Sequence, residues 1–309
     1  MKYNFPPKSI DQLIETLLIK GMIIDDIPSA KQHISCIGYF RLKRFMVPFH
    51  VPDGKGDYSF IPYTNFYDII DIYKFDSQLR VIIFEAIANI EVAFKSLLNY
   101  TMTIRHGTHW YLNSSLFKPY FATNLDPNYE SGYDKFILKL TKDCTESPEI
   151  FVRRYKLNFS DPPLPPSWIV MEIMSFGMSC ILYQNILDTE DRSEISTQFN
   201  INQNIFETWL ITMSYVRNQC AHHQKIIERT FMFPPIIPKR DKNRFLAEHD
   251  KIESDSLYAV LCIIQNSLQN LKIDSLFKDS LVDLIEYNPQ VNLTNLGFTE
   301  NWRDEKIWQ

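Results

Sequence analysis

From Thr64 to Asn99 the chain carries its longest continuous pattern. Ile69, Tyr73, Leu79, Ile83, Ala86, Ile90, Phe94 and Leu97 recur there, mostly at three- and four-residue steps. That period lines one side of an α-helix and cannot line one side of a strand, whose side chains alternate every two residues. An amphipathic helix of this length buries its apolar stripe against other elements of the fold. Asp76 and Arg80, four residues apart on its flank, are spaced to pair.

The remaining segments also read as helices. Ser9 and Gln12 in "SIDQ" have the form of a capping box, and Gly21 marks the stop of the helix they open. A second helical stretch is expected over Ser29 to Met46, ending before Pro48. "VPDGKGDYSFIP" (51–62) reads as a loop or small hairpin, and a shorter helix is expected at 133–143. "DPPLPPSW" (161–168) is a proline-stiffened connector, with Ser167 as the expected N-cap of an almost wholly apolar, central helix from Trp168 to Leu187. On that helix Glu172 shares a face with Trp168 and Phe176, where a carboxylate calls for a cationic partner. A further helix begins near Asn202, "FPPIIP" (233–238) ends the segment after it, and two more fit 254–270 and 274–287. The fold class is all-α. The domain reading is an N-terminal helical region (1–60), a helical domain (61–287) and a C-terminal tail (288–309).

Composition narrows the function classes. Only 8 of 309 residues are glycine, and dinucleotide folds, phosphate-binding loops and hairpin-rich proteins all use glycine in tight turns. Net charge is −5, so no global basic field favours nucleic acid, and any such interaction must be local. The basic clusters at 41–44, 153–154 and 239–244 read as solvated faces. Cys36, Cys144, Cys180, Cys220 and Cys262 are scattered, without disulfide or zinc spacing. No signal core or membrane-length apolar run occurs, so a cytoplasmic protein without a membrane partner is expected.

The stretch "YVRNQCAHHQKI" (215–226) concentrates the chemistry. On a helix, Ile205, Trp209, Met213, Val216 and Cys220 form one apolar stripe. Asn218 and His222 then stack on a face pointing away from it, His223 lies nearer the buried side, and Arg217 sits between. By spacing alone the cluster can be a structural helix end, because basic residues complement the exposed carbonyls there. His106 and His109 in "RHGTHW" are a weaker candidate for metal ligation, with Gly107 favouring a turn. Arg244 and His249 repeat the arginine–histidine spacing after a proline break and read as coincidence.

The wider context resembles a known family. "PPSWIVMEIMSFG", "FETWLITMSYVRNQCAHH" and "FPPIIP", in this order, are similar to the Abi-like abortive-infection family of bacterial phage defence. "LLIKGMIIDDIPSAKQHISCIGYFRLKRFMVPF", "IYKFDSQLRVIIFEAIANIEVAFK" and the ending "NLGFTENWRDEKIW" extend the likeness over most of the chain. The family in turn resembles the HEPN superfamily of helical bundles, many of them metal-independent ribonucleases with an arginine, a polar residue and a histidine four to six residues on. The resemblance implies a HEPN-like bundle with an N-terminal helical extension, and Arg217, Asn218 and His222 as catalytic residues. His223, which fits the longer spacing, and Glu172 are accessory candidates. The lysine in "QKII" departs from relatives that often carry arginine there.

Such residues suit RNA cleavage without a metal or other cofactor. RNA carries its own nucleophile, the 2′-OH. Histidine, which titrates near neutrality, can take that proton, and the arginine fork can stabilise the phosphorane charge. The expectation is a toxin-like endoribonuclease acting on an RNA substrate, in a homodimer whose composite cleft supplies both base and acid, with room for an inhibitory RNA or antitoxin partner. The alternative is a non-catalytic RNA- or protein-binding module on the same bundle.

Overall fold

The computed structural model describes residues 6–54, 57–123, 130–239 and 244–309. The fold is all-α, with one two-stranded hairpin among the described residues. The elements are α1 (Ile10–Ile19), α2 (Ile27–Ile37), α3 (Tyr39–Met46), β1 (His50–Pro52), β2 (Tyr58–Phe60) and α4 (Phe66–His106). They continue with α5 (Pro119–Ala122), α6 (Gly132–Glu146), α7 (Ile150–Asn158), α8 (Ser167–Ile173) and α9 (Phe176–Asn185). The last four are α10 (Thr189–Thr197), α11 (Gln203–Ala221), α12 (Leu257–Asn270) and α13 (Phe277–Glu286). Most of the basic cluster at 239–244 lies outside the described residues. Among the described residues no helix is long and apolar enough to cross a membrane.

The chain divides into two compact units. The first comprises residues 1–80 and 283–291, the second 81–282 and 292–309. In the first unit the capping box forms: Ser9 N–H donates to Gln12 Oε1 at 2.8 Å, and Gln12 N–H donates to Ser9 Oγ at 3.3 Å. The helix expected over 29–46 is two helices, because Gly38 takes φ +93° and breaks the hydrogen-bond ladder between α2 and α3. The loop region at 51–62 includes an antiparallel hairpin with Val51 opposite Ser59. Lys20 braces it, 2.7 Å from Asp57 and 3.7 Å from the centre of the Tyr58 ring. Asp76 and Arg80 do pair, and both are buried.

In the second unit α4 continues past Asn99 to His106, with Thr101 and Met102 buried, and stops where Gly107 takes φ +87°. Phe94, fully buried, lies at the centre of an aromatic cluster, with ring centres 6.1 Å from Phe176, 5.7 Å from Tyr183 and 6.0 Å from Phe206. It joins α4 to α9 and α11, and edge-on rings of this kind add to the burial of their large apolar area. The single helix expected over 168–187 is α8 and α9, separated at Met174 and Ser175, where the Ser175 side chain caps α9 by accepting from Met178 N–H. Trp168 is exposed while Phe176 is buried, so the two do not share a core face. Ser167 is buried within α8 and does not cap it; its hydroxyl meets Thr103 Oγ1 at 2.8 Å. Helices α7 and α10 stand where the sequence pattern predicts none.

The segment after Val291 is packed, not loose: Trp302, Ile307 and Trp308 are buried. Glu305, 3% exposed, accepts from the N–H groups of Ala247 and Glu248, both at 2.7 Å. Glu305→Ala leaves both donors without that acceptor and should cost about 3 kcal/mol, and Glu305→Gln, which keeps one carbonyl, about half as much; urea unfolding measures both. The five thiols make a second prediction. Cys36 is exposed and the other four are buried, with burial pushing Cys144 up to about 11 and Cys180 and Cys262 well above the usual thiol value. Iodoacetamide at neutral pH should therefore label Cys36 first, and mass mapping should find the others modified only after denaturation.

Candidate functional site

The site stands at the C-terminal end of α11. Asn202 opens this helix, its side chain accepting from Asn204 N–H at 2.9 Å. The stripe on its inner face is Phe206, Trp209, Leu210, Met213, Val216 and Cys220, all buried; Ile205, expected in this stripe, is half-buried. The helix ends in a paired cap: His223 N–H donates to the Cys220 carbonyl at 3.0 Å, and Gln224 N–H donates to the Gln219 carbonyl at 2.9 Å. This cap requires a left-handed residue one place beyond the C-cap, most often glycine. Here that residue is His223, at φ +54°.

This geometry separates the two histidines. His222 is the C-cap, with its N–H donating to the Asn218 carbonyl at 3.0 Å, so it keeps helical register with Asn218; both side chains are exposed. His223 was expected nearer the buried side, on the assumption that α11 continues through it. The helix stops at Ala221, the backbone reverses hand at 223, and His223 is exposed.

Arg217 is half-buried. Its Nη1 donates to Asn218 Oδ1 at 3.2 Å, and its guanidinium carbon lies 5.6 Å from the centre of the Phe84 ring. Its Nε is 3.6 Å from Glu91 Oε2, an ion pair beyond hydrogen-bond reach, and this Nε is buried without a protein hydrogen-bond partner. Glu91 Oε1 meets Lys95 Nζ at 2.8 Å, and Lys95 donates to the Met174 carbonyl at 2.6 Å. A chain of contacts therefore runs from the end of α8, through Lys95 and Glu91 on α4, to Arg217 and Asn218 on α11.

The carboxylate beside Arg217 is thus Glu91. Glu172, the expected candidate, is exposed and lines a different cleft, with Glu149, Phe151 and Trp168. A signal for Glu91 was present in the sequence: in "NIEVAFK" it stands beside Ile90 and one turn from Ile87, on the apolar side of the longest helix, with Lys95 four residues on. A carboxylate in that position must find cations.

The segment after the cap returns along α11. Thr212 Oγ1 donates to the Phe233 carbonyl at 2.7 Å, Trp209 Nε1 donates to the Ile236 carbonyl at 2.9 Å, and Ile236 N–H donates to Thr208 Oγ1 at 3.0 Å. "FPPIIP" is therefore a strap fastened to the helix that carries the site. Tyr215 is covered by its own chain, with Phe233 edge-on at 5.4 Å and its hydroxyl accepting from Arg229 Nη2 at 2.7 Å. Ile211 remains exposed.

The other histidine candidates separate. His106 Nε2 is 2.7 Å from Asp191, which Arg105 also holds at 2.9 Å, whereas the His109 ring meets the Thr108 hydroxyl at 2.9 Å. Among the described residues no group of three or more His, Cys, Asp or Glu side chains is placed to hold a metal ion. Arg244 donates to the Leu246 and Ala247 carbonyls, both at 3.1 Å, which gives it a role within its own turn.

Comparison with known proteins adds one match. No curated protein and no solved structure matches the chain. The sequence profile of the Abi-like protein family matches residues 32–228, which include α4, α11, Glu91 and the whole Arg217–His223 cluster. The chain belongs to the Abi-like protein family, a membership that points to abortive-infection phage defence.

Proposed function

We propose that this protein is a metal-independent endoribonuclease of the HEPN kind, acting as a toxin-like effector in abortive infection. The observation that carries the reading is the trio at one helix end, exposed Asn218 and His222 beside half-buried Arg217, with the arginine held from behind by Glu91. In this reading His222 takes the proton from the ribose 2′-OH, whose oxygen attacks the adjacent phosphorus. Arg217 stabilises the charge that builds on the phosphorane oxygens through the outer nitrogens of its guanidinium, while its buried Nε faces Glu91. Asn218 orients the guanidinium, to which its side-chain oxygen is already bonded. The products are a 2′,3′-cyclic phosphate and a 5′-hydroxyl.

The departing 5′ oxygen needs a proton, and the trio contains one histidine. A second copy across a two-fold axis supplies another, so the active form is proposed to be a homodimer with a composite cleft. With Tyr215 covered by Phe233 and Arg229, the apolar flank open to that second copy is Ile211. The rival reading is a non-catalytic RNA- or protein-binding module on the same bundle, in which Arg217 is only a phosphate contact and His222 has no chemical role.

Cleavage of an RNA pool in EDTA by wild type and His222→Ala separates these readings. The cleavage reading expects the substitution to lower the rate by about a hundredfold or more; equal cleavage removes His222 as the base, and RNA binding with no cleavage by either protein supports the binding module. His223→Gly, which suits the left-handed cap, should retain most activity in the same assay. Glu91→Gln tests the support behind Arg217. It should fold normally by circular dichroism yet cleave about a hundredfold more slowly, because an ångström of misplacement at the phosphate is worth that much.

A further inference from the structure

Away from the Arg217 cluster, the start of α7 and the whole of α8 enclose a cleft of about 560 Å³. That volume is in the range of sites that hold small molecules or peptide side chains. Phe151, Trp168 and Ile169 form its apolar walls, and its only charged lining residues are Glu149 and Glu172. Phe151 is 61% and Trp168 47% exposed, a large aromatic area to leave in water. A second cleft of about 470 Å³ shares Phe151, Trp168 and Ile169 and extends the apolar floor over Tyr155 and Phe159, with one charge of each sign, Arg154 and Asp161, also in its lining.

The two carboxylates set the chemistry of the occupant. Neither has an ion-pair partner among the described residues. Glu149 stands at the N-terminal end of α7, where the helix dipole accommodates a negative charge. Glu172 has no such reason: it lies in the last turn of α8, beside outward-facing carbonyls that disfavour it. The first cleft thus carries two negative charges and no positive one, which disfavours phosphate-rich nucleic acid, and Arg154 in the adjoining cleft is balanced by Asp161. A second copy seated across a two-fold axis would bring the same carboxylates face to face.

We infer that this cleft is a docking site for a basic segment of a partner protein, which places an arginine or lysine between Glu149 and Glu172 and an apolar side chain in the adjoining cleft. The methylene stem of the cation lies along Trp168 and Phe151, and its charged head meets the carboxylates. Arginine fits best, because its planar head also stacks on aromatic faces. This inference goes beyond the proposed ribonuclease activity and holds whether or not Arg217 and His222 cleave RNA.

The chain has five tryptophans. Trp110, Trp209, Trp302 and Trp308 are buried, so Trp168 is the one exposed reporter. Fluorine NMR of the full chain labelled with fluorotryptophan, with Trp168 assigned by Trp168→Phe, reads the site directly. Titration with acetyl-Leu-Arg-Phe-amide should shift the Trp168 signal saturably and leave the other four in place. The double substitution Glu149→Gln and Glu172→Gln should weaken that response about tenfold. Phe151→Ser, a change at an exposed side chain, should weaken it as well, and the four buried signals report whether each variant is folded. An equal response to acetyl-Leu-Glu-Phe-amide, an undiminished response in the folded double variant, or a Trp168 shift with oligouridylate and none with the cationic peptide would each overturn the inference.

Discussion

The carboxylate of Glu91 is the constraint on which the candidate site rests. It lies on the inner side of the longest helix, 9% exposed, among residues that bury Ile87, Ile90 and Phe94 completely. An ionised carboxylate in such a place costs several kcal/mol unless cations meet it. Lys95, one turn along the same helix, meets one oxygen, and Arg217 from α11 faces the other. The packing of α4 against α11 and the position of the guanidinium are therefore one problem with one solution. Arg217 is set by the core behind it, which is how a group at the protein surface obtains a fixed orientation. The same carboxylate reaches further: after desolvation, its charge is the next cause holding the buried Cys180 thiol protonated.

The second support comes from residues that do no chemistry. Prolines cannot donate backbone hydrogen bonds, so a proline-rich strap cannot join a ladder and must be fastened through its carbonyls. Thr212 and Trp209 provide those donors, and Thr208 accepts the Ile236 N–H, one of the donors the strap retains. Because all three stand on α11, the strap returns along the helix whose end bears Asn218 and His222. The reversal at 223 is thus fixed from both sides, by the paired cap before it and the fastened strap after it. The cap itself tolerates a histidine in a left-handed conformation that costs a non-glycine residue about 1–2 kcal/mol.

How much of this was legible follows from where the determining signal lies. The long amphipathic helix, the capping box at Ser9 and the start of α11 at Asn202 were legible, because period and capping are local properties. The inner face of α11 was legible at Trp209, Met213, Val216 and Cys220 for the same reason. Breaks that need one unusual residue were missed. Gly38 inside an apolar stretch and Ser175 between two buried segments each end a helix, yet neither interrupts the hydrophobic pattern. His223 shows this most sharply: extending the helix by two residues moves a side chain from the surface to the buried side on paper. Glu91 was missed for a different reason. Its partner on α11 lies 126 positions away, and no local pattern pairs residues across that distance, whereas Glu172 stood out because four-residue spacing put it on one face with Trp168 and Phe176.

The arrangement of the helix end also bears on how a second histidine can reach a phosphate. His222 keeps register with Asn218, and Asn218 is bonded to Arg217, so these three form one unit with one direction. His223 leaves that direction through the left-handed turn and serves the cap with its backbone. Two adjacent histidines in the sequence thus take different backbone roles, His222 closing the helix and His223 turning the chain away from it. Under the proposed cleavage reading a second copy would supply the second proton carrier, with the exposed Ile211 on the flank of α11 open to it.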